Sequence, residues 1–203
     1  ELKAAGVDVI NLSVGEPDFP TPENICLAAK KAIDDGHTRY TPGGGTMDLK
    51  KAVVEKLARD NNLHFDVSQI LISCGGKHSL YNACQALFQS GDEVIIFSPY
   101  WVSFPDFVSV TGAKPVFVRT NPSKQYEPVM EDLKDKITSR TKGVIINSPS
   151  NPTGGVWSNE TVLEVLKLSE EAGAWVFSDE CYEQLTYDKP YISTATLKNN
   201  TEK

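Results

Sequence analysis

The sequence predicts an α/β fold, with a mostly parallel sheet sandwiched between helices. Three observations carry that prediction. Runs of ~5 residues that are apolar throughout recur along the chain, as strands buried on both faces require. Segments with helical apolar periodicity alternate with those runs. Glycine and proline fall at the junctions, where starts and stops are needed.

The elements follow in order. Val7 to Leu12 reads as a strand. Pro22 to Asp35 reads as a helix, with proline at its start and Gly36 as its stop. A second helix follows Thr46, with Leu49, Ala52, Val53 and Leu57 on one face. Gln69 to Ser73 is predicted as a strand, and Lys77 to Ser90 as a helix closed by Gly91. Glu93 to Phe97 is a strand, Ser103 to Thr111 a helix, and Lys114 to Arg119 a strand. Glu131 to Ile137 is a short helix and Gly143 to Asn147 a strand. Ser158 caps a helix running to Gly173, and Ala174 to Ser178 is the last clear strand. No internal repeat, low-complexity segment or linker interrupts this alternation.

Composition narrows the function classes. With 40% hydrophobic and 23% charged residues, the 203-residue chain has the balance of a globular protein. A formal net charge of −7 argues against nucleic-acid and anionic-membrane partners, which need a basic footprint. No apolar run approaches the ~18 residues of a membrane span. Residues Glu1 to Asp8 lack the basic start and apolar stretch of a signal peptide. Cys26, Cys74, Cys84 and Cys181 form no CxxC pair and are read as reduced, mostly buried thiols of a cytoplasmic protein, with a disulfide or zinc framework as the lesser alternative. The chain opens on ELKAAG, as if in mid-helix, and ends in a polar stretch from Lys198 to Lys203. It is therefore expected to be a piece of a longer protein.

Open parallel sheets bind ligands beyond the carboxyl ends of their strands, so the candidate chemistry lies at those positions. Cys74-Gly75-Gly76-Lys77 joins a predicted strand to a helix. Its glycines admit close backbone approach, and the helix start offers free N–H groups to an anion. The same glycines also suit a plain turn. Neither GxxxxGK[ST] nor GxGxxG is present, which opposes a nucleotide-binding domain. Ser98-Pro99-Tyr100-Trp101 places an indole where it can stack on a flat ring, or simply pack in the core. In Ser148-Pro149-Ser150-Asn151-Pro152-Thr153-Gly154-Gly155, the prolines and glycines restrict the loop and keep Asn151 out of the helical region. Asp179 ends the last strand, where its carboxylate can hold a heterocyclic nitrogen protonated or cap a helix. Tyr182, three residues on, can donate to a neighbouring oxygen. Taken together, a glycine cradle, an aromatic, an asparagine and an aspartate are what a flat, phosphorylated heterocycle requires.

Those runs, together with NLSVGEPDFPTP, TRYTPGGGTMDLKKAV and VFSDECYEQLTYD, resemble the class I aminotransferases of fold type I. The similarity is strongest to the bacterial-type aspartate aminotransferases and covers nearly the whole chain. It implies that residues 23–203 belong to a pyridoxal-phosphate-binding large domain, incomplete at its C-terminus. Residues 1–22 contribute to a small domain and a substrate loop. The cofactor it implies is pyridoxal 5′-phosphate. By the same resemblance Gly75, Gly76 and Lys77 would hold its phosphate, Trp101 would stack on its ring, Asn151 and Tyr182 would bond the ring hydroxyl oxygen, and Asp179 would pair with the ring nitrogen. Tyr40 would reach the phosphate of the second subunit of a homodimer. Gly15, Lys77, Trp101 and Asn151 are the substrate-side candidates. The resemblance also implies cis bonds at Ser98-Pro99 and Asn151-Pro152.

The substrates implied are an amino acid and a 2-oxo acid. Lys77 facing a distal carboxylate favours aspartate and glutamate. No catalytic residue is expected within this chain. The lysine that binds the cofactor covalently is expected roughly thirty residues beyond Asp179, and Lys189, Lys198 and Lys203 lie in a polar segment without its motif. The chain alone is therefore expected not to transaminate. Two other readings share the cofactor fold: a lyase or synthase, and a non-catalytic ligand-sensing module.

Overall fold

The computed structural model describes residues 2–10, 15–188 and 190–198. It divides into two compact units, residues 1–41 and 42–203.

The first unit is built on helix α1 (Glu23–Asp34), which starts after Pro22 and carries no buried residue. A Lys31–Asp35 ion pair of 2.7 Å closes its last turn, and Gly36 follows at φ +81°. Val7 to Ile10 form no regular strand, and the rest of the strand predicted there lies outside the described residues.

The second unit holds a five-stranded sheet in the order β3-β2-β1-β4-β5. Its strands are β1 (Glu93–Ser98), β2 (Lys114–Asn121), β3 (Glu127–Pro128), β4 (Thr141–Asn147) and β5 (Trp175–Asp179). The β1–β2, β1–β4 and β4–β5 pairings are parallel, and only the two-residue edge strand β3 runs antiparallel. Helices α2 (Met47–Asn61), α3 (Gly76–Leu87), α4 (Ser103–Ser109), α5 (Met130–Lys136), α6 (Asn159–Glu171) and α7 (Thr194–Lys198) complete the unit.

Successive side chains of a strand point to opposite faces, and here both faces are covered. Ile95, Phe97, Val118, Val144 and Ile146 pack with Leu133 of α5 and Val162, Val165 and Leu166 of α6. Val94, Ile96 and Ile145 pack on the other side with Cys84 of α3 and Phe104, Phe107 and Val108 of α4. Each such buried aliphatic contributes roughly 1.5–3 kcal/mol. The double coverage explains why the strands read as continuous apolar runs.

The helix starts match their sequence signals. The Thr46 hydroxyl accepts the Leu49 N–H at 3.4 Å, and the Ser158 hydroxyl accepts the Thr161 N–H at 3.3 Å. One further expectation fails. Gln69 to Ser73 is not a strand: Val67–Gln69 is a 3₁₀ turn, and Ile70 is extended but pairs with no strand among the described residues. Its neighbour is the 42–46 loop, through Ile72 N–H to the Gly44 carbonyl at 3.0 Å. Helix α7 has no counterpart in the sequence reading; of the polar stretch from Lys198 to Lys203, expected to hold no closing element, only Lys198 lies among the described residues.

Candidate functional site

Strands β1, β4 and β5 are parallel neighbours, so their carboxyl ends open on one edge. Trp101 stands three residues past β1, Asn151 four past β4, and Tyr182 three past β5. The register of β4 on β5 sets Asn147 beside Asp179. Asn147 ties the group together. Its Nδ2 donates to the Asp179 carbonyl at 3.1 Å, and its Oδ1 accepts the Asn151 N–H at 2.7 Å. Asn151 Nδ2 lies 3.5 Å from the Tyr182 hydroxyl, at the limit of a hydrogen bond. The Asp179 Oδ1 accepts the Cys181 N–H at 3.3 Å. Asp179, Asn151 and Tyr182 are thus brought together, each half-buried.

The loop bearing Asn151 is rigidly built. Ser98-Pro99, Ser148-Pro149 and Asn151-Pro152 are all cis; the sequence reading expected the first and third and missed the second. Ser150 N–H donates to the Gly155 carbonyl at 3.0 Å, and Gly154 N–H to the Ser150 carbonyl at 2.8 Å. Behind the loop, Trp157 Nε1 donates to the Tyr126 carbonyl at 3.0 Å, and Ser158 N–H to the Glu127 carboxylate at 2.7 Å.

On the other side stands the start of α3. Gly75, at φ +82°, is its N-cap, and no side chain caps it. Among the described residues the N–H groups of Gly76 and Lys77 have no protein partner. Lys77 bends its ammonium over the Trp101 ring, 5.0 Å from the centroid, joining this turn to the β1 end through a cation–π contact. Trp101 is held edge-on by Phe104 and Phe107, at 5.4 and 5.9 Å. It is a partly exposed platform, not a core residue.

Burial and the adjacent Asp179 carboxylate push the Cys181 thiol up to about 11. Cys74 and Cys181 are exposed and Cys26 is half-buried, so of the four thiols expected to be mostly buried only Cys84 is. No cluster of metal-ligating side chains occurs among the described residues, and no described helix is long and apolar enough to cross a membrane. Gly15 and Tyr40 belong to the first unit; both are exposed, Tyr40 entirely so.

The sequence reading missed Asn147, although an asparagine closing a buried strand beside a cofactor-type loop is a usable signal. It also missed Tyr126 and Gln125, whose positive φ values of 58° and 53° have no counterpart in their residue types.

The profile of the family described as aminotransferase class I and II matches residues 7–202. An aspartate aminotransferase of Bacillus sp. (strain YM-2) is 47% identical over 188 residues, covering 93% of this chain and 48% of that protein. One from Geobacillus stearothermophilus is 48% identical over 198 residues, covering 97% and 50%. Among solved structures, a double mutant of Thermus thermophilus aspartate aminotransferase superposes with a TM-score of 0.92 at 40% identity, covering 97% of this chain and 52% of the other. An alanine aminotransferase from Pyrococcus furiosus superposes with a TM-score of 0.93 at 34% identity, covering 97% and 51%. The chain spans about half the length of the curated relatives it matches.

Proposed function

This chain belongs to the aminotransferase class I and II family, and on that premise we propose that the protein containing it moves an amino group from an acidic amino acid to a 2-oxo acid with pyridoxal 5′-phosphate. The fold is that of the fold type I enzymes. The observation that carries the proposal is the convergence of Asp179, Asn151 and Tyr182 on the sheet edge that also bears Trp101.

The residues present fit the cofactor. A phosphate suits the uncapped start of α3, where the Gly76 and Lys77 N–H groups lack protein partners. An aromatic ring suits the partly exposed Trp101. Asn151 and Tyr182 offer donors to a ring oxygen. The Asp179 carboxylate favours a protonated ring nitrogen by charge. When bound, the cofactor supplies an electron sink that eases removal of the proton from the substrate α-carbon. The residues of this chain hold and orient it: Asp179 keeps the ring nitrogen charged, and Asn147 fixes both Asp179 and Asn151 in place.

Lys77, Trp101 and Asn151 serve the substrate side. The Lys77 ammonium is the charge that selects a second carboxylate on the amino acid, which is why aspartate and glutamate are assigned. Residues 1–22 serve a small domain and substrate loop, and residues 23–203 the cofactor-binding large domain. The protein acts as a homodimer in which the wholly exposed Tyr40 side chain meets the phosphate of the second subunit. Four free cysteines suit a reducing, cytoplasmic setting.

An assay of oxo-acid formation from aspartate, with and without 2-oxoglutarate, tests the reaction class. Strict dependence on the acceptor is expected. Oxo-acid release beyond one equivalent per active site without any acceptor, with ammonia formed in step, would indicate an eliminating enzyme instead.

A further inference from the structure

A helix start leaves several N–H groups without partners. The common remedy is reciprocal: an N-cap side chain accepts from the third helical residue, whose own side chain reaches back to the N-cap N–H. Helix α3 has neither half of that arrangement. Its N-cap, Gly75, has no side chain. His78, the third helical residue, instead reaches one residue past the N-cap, and its Nδ1 accepts the N–H of Cys74 at 3.3 Å.

We propose that His78 is a positioning residue for the phosphate cradle. It clamps the Cys74-Gly75-Gly76 turn from behind the helix start, so that the two open N–H groups stay aimed while no side chain occupies the anion's space. This rests on the cofactor reading given above. Three further observations support it. Gly75 lies at φ +82°, where a residue with a Cβ is strained. A Cβ added at Gly75 or Gly76 would meet nothing within 4 Å, so packing does not hold the turn. Two adjacent glycines are the most mobile pair a chain can offer, so a tie to the helix is needed to order them. Gly75 N–H bonds the Ser73 carbonyl at 2.8 Å, and His78 and Ser79 N–H bond the Gly75 carbonyl at 3.1 and 3.3 Å. None of these reaches Cys74, which His78 alone ties forward among the described residues.

Two variants in the protein containing this chain test the role. Asparagine sets its Oδ1 the same number of bonds from Cα as Nδ1, so His78→Asn keeps the acceptor. His78→Ala removes it. The readout is the equilibrium Kd of the cofactor-free protein for pyridoxal phosphate and for phosphate-free pyridoxal, by absorbance titration. His78→Ala is expected to weaken pyridoxal phosphate about tenfold, leave pyridoxal within about twofold, and be rescued by asparagine. Should the alanine variant fail to fold, His78→Phe removes the acceptor while keeping a ring. Unchanged affinity for pyridoxal phosphate, or equal loss for both aldehydes, overturns the proposal. Wild-type protein that takes up no pyridoxal phosphate overturns the cofactor reading itself.

Discussion

Replacing Gly155 with alanine puts a carbon 2.2 Å from the Gln125 carbonyl oxygen, 1.2 Å short of the 3.4 Å at which ordinary contact begins. Neither side can yield freely. Gln125 is anchored through its neighbour Tyr126, whose N–H bonds the Asn121 carbonyl at 2.9 Å and whose carbonyl accepts the Trp157 indole at 3.0 Å. Gly155 is buried and its carbonyl holds Ser150 N–H at 3.0 Å, one residue from Asn151. Overpacking of this kind costs about 1–3 kcal/mol, and losing one of the anchoring hydrogen bonds adds about 1. The expected loss is therefore about 3 kcal/mol, or roughly 6–12 °C in Tm at 2–4 °C per kcal/mol. Gly154→Ala is the control. Its φ of +69° strains alanine, but a Cβ there meets nothing within 4 Å, so about 1–2 kcal/mol is expected. Thermal and urea unfolding of the protein containing this chain give both numbers. A Gly155→Ala midpoint within a degree of wild type, or a smaller loss than Gly154→Ala, would refute the reasoning.

Lys77→Ala should lower kcat/KM for aspartate at least about tenfold more than for an aromatic amino acid, as loss of one charge-assisted contact predicts; an unchanged ratio would remove Lys77 from substrate selection. Asp179→Asn should weaken pyridoxal-phosphate binding and cut turnover by about 10²-fold or more, because the ring nitrogen loses its anionic partner; steady-state rates near wild type would contradict its role. For Asp132, burial works against the charged form, yet hydrogen bonds from Lys136, the Arg119 backbone and the Arg119 side chain outweigh it and hold the carboxyl down at about 2. The folded pKa is the lower one, so this stabilisation is complete above pH ~4–5 and is lost as pH falls towards 2. It amounts to about 2 kcal/mol before solvent screening of the exposed Arg119 reduces it. Asp132→Asn should flatten stability against pH in that window, and a slope equal to wild type there would show that Asp132 contributes nothing.

What the sequence made legible was what local chemistry determines. Strands β1 and β4 are buried on both faces, so each announces itself as an apolar run, while β2 and β5 are only partly buried and show through their short central apolar stretches. Thr46 and Ser158 mark their helices because a capping hydroxyl is a property of one residue. Ile70 to Ser73 shows the limit: it has a strand's composition, but a strand also needs a partner, and the partner is not encoded in the run. Glu127–Pro128 shows the converse, with pairing too short to leave a pattern. Helix α7, five residues with one buried side chain, Thr194, leaves no periodic signal. In the site, Asp179, Asn151, Tyr182 and Trp101 were legible because each ends or follows a strand. Asn147, His78 and the Gln125–Tyr126 turn act through hydrogen bonds across the fold or back along a helix start, which residue type alone does not announce.

The most direct test of the central claim is a structure of the protein containing this chain with pyridoxal phosphate bound. The account predicts the phosphate on the N–H groups of Gly76 and Lys77, the ring against Trp101, and the ring nitrogen about 3 Å from the Asp179 carboxylate. Cofactor bound elsewhere, or a ring nitrogen facing away from Asp179, would contradict it.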